Sequence, residues 1–211
     1  MQALPLLSSL AVMASLAVVG LAQTHSQVLH DNEHARVLKI TMPPHQPSPT
    51  REHSLDRVLI FLDGGRMTTT APDGKIKKIE FKARDVKWAP AGGSSISENT
   101  GDQAFQFIEI EVKGKQQPAV TVPDLDPLKV DPKHYQLVLE NEDVRVVRVN
   151  FGPLEDGVVH QHVRNYFVVY MTRQAKGDRG EVRPHLDEGT TTHTENNPLN
   201  QAVERVAVEL K

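Results

Sequence analysis

The chain has 211 residues, with 24 Lys and Arg against 27 Asp and Glu, and a formal net charge of −3. Because charges of both signs are mixed along it, the chain lacks the basic face that nucleic-acid binding requires, and no nucleic-acid partner is expected. It contains no cysteine, which excludes a disulfide framework, so its stability must come from a buried core.

Residues 1–22 are predicted to be a signal peptide. The first 23 residues carry no charged side chain, and an apolar run from Leu10 to Ala22 ends in Gly20-Leu21-Ala22. Small residues at the first and third positions before a cleavage point are typical of secretory signals. We therefore expect a periplasmic or secreted protein with no membrane contact after cleavage. The alternative is a membrane anchor formed by residues 4–22.

Beyond this segment, apolar and polar residues alternate with a period of two. The clearest runs are Arg36 to Ile40, Val58 to Leu62, Phe105 to Val112 and Val203 to Leu210. Runs rich in β-branched and aromatic residues are typical of strands, so the pattern predicts an all-β protein. The acids within these runs, Glu109, Glu111 and Glu209, are predicted to lie on a solvated strand face.

Two parts of the chain match each other. Residues 28–62 match residues 137–171 at a constant shift of 109 positions, and residues 99–113 match residues 197–211 at a shift of 98. An internal repeat of this length predicts two similar structural units. Copy one is placed at 28–113 and copy two at 134–211, joined by an extended proline-rich linker at 114–133.

Copy two is the shorter unit. Pro72-Asp73-Gly74-Lys75 marks a turn between two strands of copy one, and a shorter segment between Met171 and Glu181 replaces that hairpin in copy two. Losing a hairpin leaves strand edges unpaired. We therefore expect the two copies to pair face to face within the chain, or the chain to form a homodimer.

The motifs of both copies resemble those of the cupin superfamily, in the form of a two-copy cupin. In copy two, His160-Gln161-His162 resembles the His-x-His pair of the first cupin motif. The stretch from Gly180 to Asn197 resembles the second motif, and His193 lies four residues before Asn197. The stretches 51–61 and 84–102 resemble the two motifs in copy one. The resemblance implies two jelly-roll β-barrels in tandem, which agrees with the strand pattern.

Each copy departs from the family pattern. In copy one the first pair is Arg51-x-His53, and Ser95 stands where the second motif has its histidine. Because Arg offers no lone pair to a metal, copy one is expected to have lost its metal. Copy two keeps three histidines, but Tyr166 and Phe167 occupy the positions of the family's glutamate. It also lacks the family's leading glycine and the Pro-x-Gly of the second motif.

The resemblance implies a metal site made by His160, His162 and His193. Residues i and i+2 of a strand face the same side, so His160 and His162 would project together, and His193 would join them from a paired strand. Three imidazoles leave coordination positions open, which suits one divalent Fe, Mn, Zn, Ni or Cu ion. The alternative is that the pair consists of polar residues at the exposed rim of a strand.

Three further residues are candidates for contacts around the two sites. Tyr166 is expected to contact the surroundings of the metal or a substrate, or else to pack at the end of the barrel. In copy one, Arg51 is expected to bind a small polar or acidic ligand, with His53 beside it at the rim. The histidines of the N-terminal part, His30 and His34 among them, are expected to be solvated.

Two functions are compatible with these features. The first is an exported protein that binds a small molecule or stabilises an assembly, which the absent glutamate and the lost ligands of copy one favour. The alternative is a metal-dependent enzyme of the dioxygenase or isomerase type that works at the three histidines. The cupin fold alone does not choose between them, because barrels of this kind host unrelated functions.

Overall fold

Two β units follow one another in the computed structural model, which describes residues 23–114 and 121–211. Each unit contains one five-stranded sheet and one smaller sheet, so the predicted all-β class with two jelly-roll units is confirmed. The predicted signal peptide and the alternative anchor lie outside the described residues. In the described ranges, no helix is long and apolar enough to cross a membrane.

Copy one is an open jelly roll of two sheets. In chain order its strands are β1 (His25–Asp31), β2 (Ala35–Met42), β3 (Arg51–Glu52), β4 (Asp56–Phe61), β5 (Gly65–Thr70), β6 (Ile76–Phe81), β7 (Val86–Ala89), β8 (Ser94–Asn99) and β9 (Phe105–Val112). The larger sheet has the order β1-β2-β9-β4-β7, and the smaller one has the order β3-β8-β5-β6.

Copy two repeats this plan with fewer strands. Its elements are α1 (Pro127–Val130), β10 (Tyr135–Glu140), β11 (Val144–Phe151), β12 (His160–His162), β13 (Tyr166–Tyr170), β14 (Val182–His185), β15 (Thr191–His193) and β16 (Val203–Leu210). The larger sheet has the order β10-β11-β16-β13-β14, and the smaller one is the pair β12-β15. Helix α1 lies within the predicted linker, where the Asp126 side chain accepts a hydrogen bond from the backbone N–H of Leu128 at 2.9 Å.

The missing strands of copy two correspond to the β5–β6 hairpin of copy one. In copy one, β8 pairs with β3 on one side and with β5 on the other. In the described part of copy two, the corresponding strand β15 pairs with β12 alone. The turn that joins β5 to β6 contains Gly74, whose φ of 81° suits a residue without a β-carbon. Deletion of this hairpin therefore opens one edge of the smaller sheet.

The repeated residues make the same hydrogen bonds in both copies. The Asn32 side chain accepts bonds from the backbone N–H groups of residues 34 and 35, and the Asn141 side chain accepts them from residues 143 and 144. Asn99 donates to the carbonyls of residues 42 and 103, and Asn197 donates to those of residues 152 and 201. The residues kept in both copies are therefore those that fix turns and strand connections.

The two copies pack against each other through their five-stranded sheets. One continuous cluster of buried apolar side chains unites both sheets. From copy one it takes Ala35, Val37, Val58, Ile60, Leu62, Ile108, Ile110 and Val112, and from copy two it takes Val144, Val146, Phe167, Val169, Met171, Val182, Val206, Val208 and Leu210. The face-to-face pairing therefore occurs within the chain, through sheet faces rather than through the edge that the missing hairpin exposes. The homodimer stays a prediction.

The prediction that the strand acids face solvent was wrong. Glu109 is 2% exposed and Glu209 is 3% exposed. In β9 and β16 the apolar residues of the alternation face the other copy, so the alternate residues point into their own barrel. The alternation was correctly recognised, but its polar side faces the barrel interior instead of water.

Two of the N-terminal histidines, His30 and His34, contact the other copy instead of being simply solvated, whereas His25 and His45 are exposed as predicted. The His30 Nε2 lies 2.9 Å from the carbonyl oxygen of Val182. The His34 Nε2 lies 3.2 Å from a carboxylate oxygen of Asp187. These contacts add polar ties at the edge of the shared apolar cluster.

The repeat offers a matched pair of arginines with different burial. Arg145 binds Glu209 through its Nε and Nη2 at 2.8 and 3.0 Å, and binds Asp126 through its Nη1 at 2.7 Å. Its counterpart Arg36 has a side chain that is 43% exposed, and its Nε lies 3.8 Å from Asp31.

We expect Arg145→Met to lower the free energy of unfolding by about 3–5 kcal/mol, because it leaves two buried carboxylates without a counter-charge. The matched Arg36→Met substitution should cost less than about 1 kcal/mol. Urea denaturation followed by circular dichroism measures both values. Equal losses for the two variants would contradict this account of the buried ion pairs.

Candidate metal centre

The structure brings the three predicted histidines together inside copy two. Strands β12 and β15 pair so that His160 lies directly opposite His193. One ring nitrogen from each of His160, His162 and His193 lies within 4.8 Å of the other two. His160 is fully buried and His162 is 7% exposed. The three imidazoles therefore converge in the barrel instead of lying on an exposed rim.

The hydrogen bonds leave nitrogen lone pairs free where the three imidazoles converge. The His160 Nδ1 lies 3.0 Å from the carbonyl oxygen of Val158. Because a carbonyl only accepts, Nδ1 carries the proton and Nε2 keeps its lone pair. The Nε2 of His193 and the Nδ1 of His162 are buried and have no hydrogen-bond partner among the described residues. A buried nitrogen without a partner is costly, and a metal ion would satisfy the Nε2 of His193.

A buried ion pair stands behind His162. Glu209 Oε1 lies 3.7 Å from the His162 Nδ1, beyond hydrogen-bond range, while both oxygens of this carboxylate accept bonds from Arg145. Burial alone would raise the pKa of Glu209, but His162 and Arg145 hold it below its ordinary value. The carboxylate is thus ionised, and it favours a proton on the Nδ1 of His162. The lone pair of this imidazole then lies on its Nε2.

Tyr166 is sandwiched between two imidazoles. Its ring stacks on His162 at 4.6 Å and on His185 at 4.5 Å between ring centroids. Burial raises the pKa of Tyr166, so its phenol stays neutral. Tyr166 therefore holds the plane of one candidate ligand. His185 was not singled out from the sequence, although it follows the alternation of β14.

A second group missed by the sequence analysis is a polar chain next to His160. The Tyr135 hydroxyl lies 3.3 Å from the His160 Nε2 and donates to Glu195 at 2.9 Å. Glu195 also accepts a bond from Arg205 at 2.8 Å. Burial alone would raise the pKa of Glu195, but Arg205 and the Tyr135 hydroxyl hold it below its ordinary value. The period of two could have found Glu195, which lies two positions after His193.

A small cavity adjoins one of the three histidines, His162. A cavity of about 20 Å³ lies against His162, Tyr166 and Glu195. A cavity needs about 10–15 Å³ of such volume to hold one water molecule. This cavity beside His162 therefore suits about one water-sized molecule.

The equivalent positions of copy one hold a different set of groups. Strands β3 and β8 pair so that Arg51 lies opposite Ser95, in the same register as His160 and His193. The Arg51 Nη2 lies 2.5 Å from Glu109. The His53 Nε2 lies 3.1 Å from the Ser95 hydroxyl, and its Nδ1 accepts a bond from Arg57 at 2.5 Å. A guanidinium and a hydroxyl thus replace two imidazoles.

Comparison with solved structures finds proteins, a cupin among them, whose folds resemble nearly the whole chain. The Cupin 2 conserved barrel domain protein from Leptotrichia buccalis gives a TM-score of 0.55 at 10% identity and covers 92% of each chain. AerE from Microcystis aeruginosa gives 0.56 at 11% identity, over 89% of this chain and 98% of that one. A variant of oxalate decarboxylase from Bacillus subtilis gives 0.60 at 10% identity, over 88% of this chain and 72% of that one. At such identities the likeness concerns the fold alone. No protein-family profile matches the sequence, and neither does any curated protein.

The protonation of His193 makes a testable contribution to stability. Burial and the neighbouring His160 lower the pKa of His193 from 6.5 to about 4. The unfolded chain therefore binds a proton at a higher pH than the folded chain does. This contribution to stability is complete above pH 6.5 and is lost as the pH falls toward about 4.

We expect the free energy of unfolding of the metal-free protein to fall over this pH range. The fall should be shallower in His193→Gln, which removes the titrating group. Urea denaturation at a series of pH values, in the presence of a chelator, measures both profiles. Parallel profiles would show that His193 is not desolvated in the folded protein.

Proposed function

From the two-copy cupin fold of this chain, we propose that copy two binds one divalent transition metal ion through His160, His162 and His193. One observation carries the proposal: three imidazole nitrogens lie within 4.8 Å of one another inside the barrel. The orphaned Nε2 of His193 supports it, because a metal would supply the missing partner. Three neutral imidazoles suit Zn, Fe, Mn, Ni or Cu.

The surrounding residues fit the task of holding three ligands in place. The Val158 carbonyl fixes the tautomer of His160, and the ring of Tyr166 fixes the plane of His162. Burial, together with the carboxylate of Glu195, raises the pKa of Tyr135, so its phenol stays protonated beside His160. When bound, the metal would supply a Lewis acid with open coordination positions.

The small cavity bears on the choice between binding and catalysis. Room for about one water-sized molecule suits a metal-binding protein, in which the ion also ties β12 to β15. An enzyme of the dioxygenase or isomerase type would have to admit an organic substrate through the open edge of β15. The geometry therefore favours metal binding with, at most, a very small ligand.

Metal analysis of the purified mature protein tests the proposal. We expect near-stoichiometric transition metal in the wild type and at least about a hundredfold loss of affinity in His193→Ala, which removes one of three ligands. Added metal should raise the melting temperature of the wild type, because it binds the folded state only.

The repeat supplies the matched control. His53→Ala removes the counterpart of His162 in copy one, where no metal is proposed, and should leave the metal content unchanged. A wild type that takes up no metal, or a His193→Ala variant that keeps it, would overturn the proposal.

We also propose that the protein is exported through the signal segment at 1–22. The uncharged N-terminus and the small residues at Gly20 and Ala22 support this proposal. N-terminal sequencing of the protein from its native host should give a mature chain that begins at Gln23. An intact Met1 in the membrane fraction would instead favour the anchor.

A further inference from the structure

The barrel of copy one encloses a much larger space than that of copy two. Its cavity has a volume of about 580 Å³, compared with about 20 Å³ for the cavity beside His162 in copy two. Cavities that bind small organic molecules in proteins measure about 300–1,000 Å³. The copy without metal ligands is therefore the one with room for an organic ligand.

The guanidiniums of Arg51 and Arg57 line this cavity together with the carboxylate of Glu109. Arg51 occupies the strand position that His160 has in copy two, as the matching registers of the two strand pairs show. Glu109 and Glu111 hold Arg51 in place at 2.5 and 3.3 Å. The charge of Arg51 is thereby balanced within the barrel.

A second guanidinium, that of Arg57, lies farther from its carboxylate partner. Arg57 lines the cavity, and its nearest carboxylate is Glu109, at 3.8 Å. Its Nη1 donates to the neutral imidazole of His53, and its Nε is buried without a hydrogen-bond partner among the described residues. A largely buried cation with an unused donor favours an acceptor that carries negative charge.

The rest of the lining separates into an apolar wall and a basic rim. The wall includes Ile40, Met42, Phe61, Met67 and Phe107. The rim contributes Lys77, Lys78 and Lys87 against the single acid Glu80. A ligand that matches this lining has an apolar body and one anionic end, and the rim favours the approach of an anion.

We propose that copy one is a binding site for a small organic carboxylate with an apolar body, anchored by the Arg57 guanidinium. Arg51 and Glu109 form the fixed polar end of the site, and His53 orients Arg57. In copy one, the Arg51 guanidinium occupies the strand position at which copy two has the candidate metal ligand His160. This site is separate from the proposed metal centre and does not depend on it.

The chain carries its own probe for this site. The only tryptophan of the sequence, Trp88, lines the cavity, so a bound ligand should change the intrinsic fluorescence. The probes are benzoate, 3-phenylpropanoate and 5-phenylpentanoate, each compared with its primary amide by fluorescence and calorimetry. We expect at least one acid to bind, and its amide to bind at least about tenfold more weakly, because the amide lacks the charge.

Variants distinguish this site from the metal centre. Arg57→Gln should weaken binding of the acid at least about tenfold, while Arg173→Gln, a charge removal at a surface position with an 83% exposed side chain, should not change it. His160→Ala/His162→Ala should also leave it unchanged. The proposal is overturned if no acid binds at millimolar concentration or if acid and amide bind equally well. The comparison of acid and amide uses the wild-type protein and does not depend on the folding of any variant.

Discussion

The apolar faces of the two five-stranded sheets pack against each other, and this shared core constrains the rest of the molecule. Each of the strands β2, β9, β11 and β16 turns one set of alternate residues toward the other copy. Burial of these faces is the main favourable contribution that links the copies. Substitutions on these faces would disturb both units at once.

The inward faces are under a different constraint. Each barrel must fill or hydrate its own interior, and the two copies do so in opposite ways. In copy two, Tyr135, Tyr166 and Arg205 occupy the space around three histidines and leave a cavity of about 20 Å³. In copy one, the histidine positions carry Arg51 and Ser95, and about 580 Å³ stays open. The two copies thus share the sheet face that packs between them but have different barrel interiors.

Much of the fold could be predicted from the sequence, because strand periodicity, the gapless repeat and the missing hairpin are local or directly visible features. The convergence of His160, His162 and His193 followed from the cupin resemblance. The direction of the polar strand face could not be predicted, because alternation alone does not tell a solvated face from a barrel interior. Glu209 was misassigned for that reason. Tyr135 was missed because its contact with His160 depends on how distant strands pack.

The central claim is that the two copies share one fold but differ in the positive charge inside each barrel. We propose a bound metal ion in copy two, and copy one has an arginine, Arg51, at the equivalent position. Anomalous diffraction from crystals grown with zinc tests this claim most directly. The account predicts a peak about 2.0–2.1 Å from one ring nitrogen of each of His160, His162 and His193, and no peak beside Arg51 and Ser95. A peak in copy one, or none at the three histidines, would contradict it.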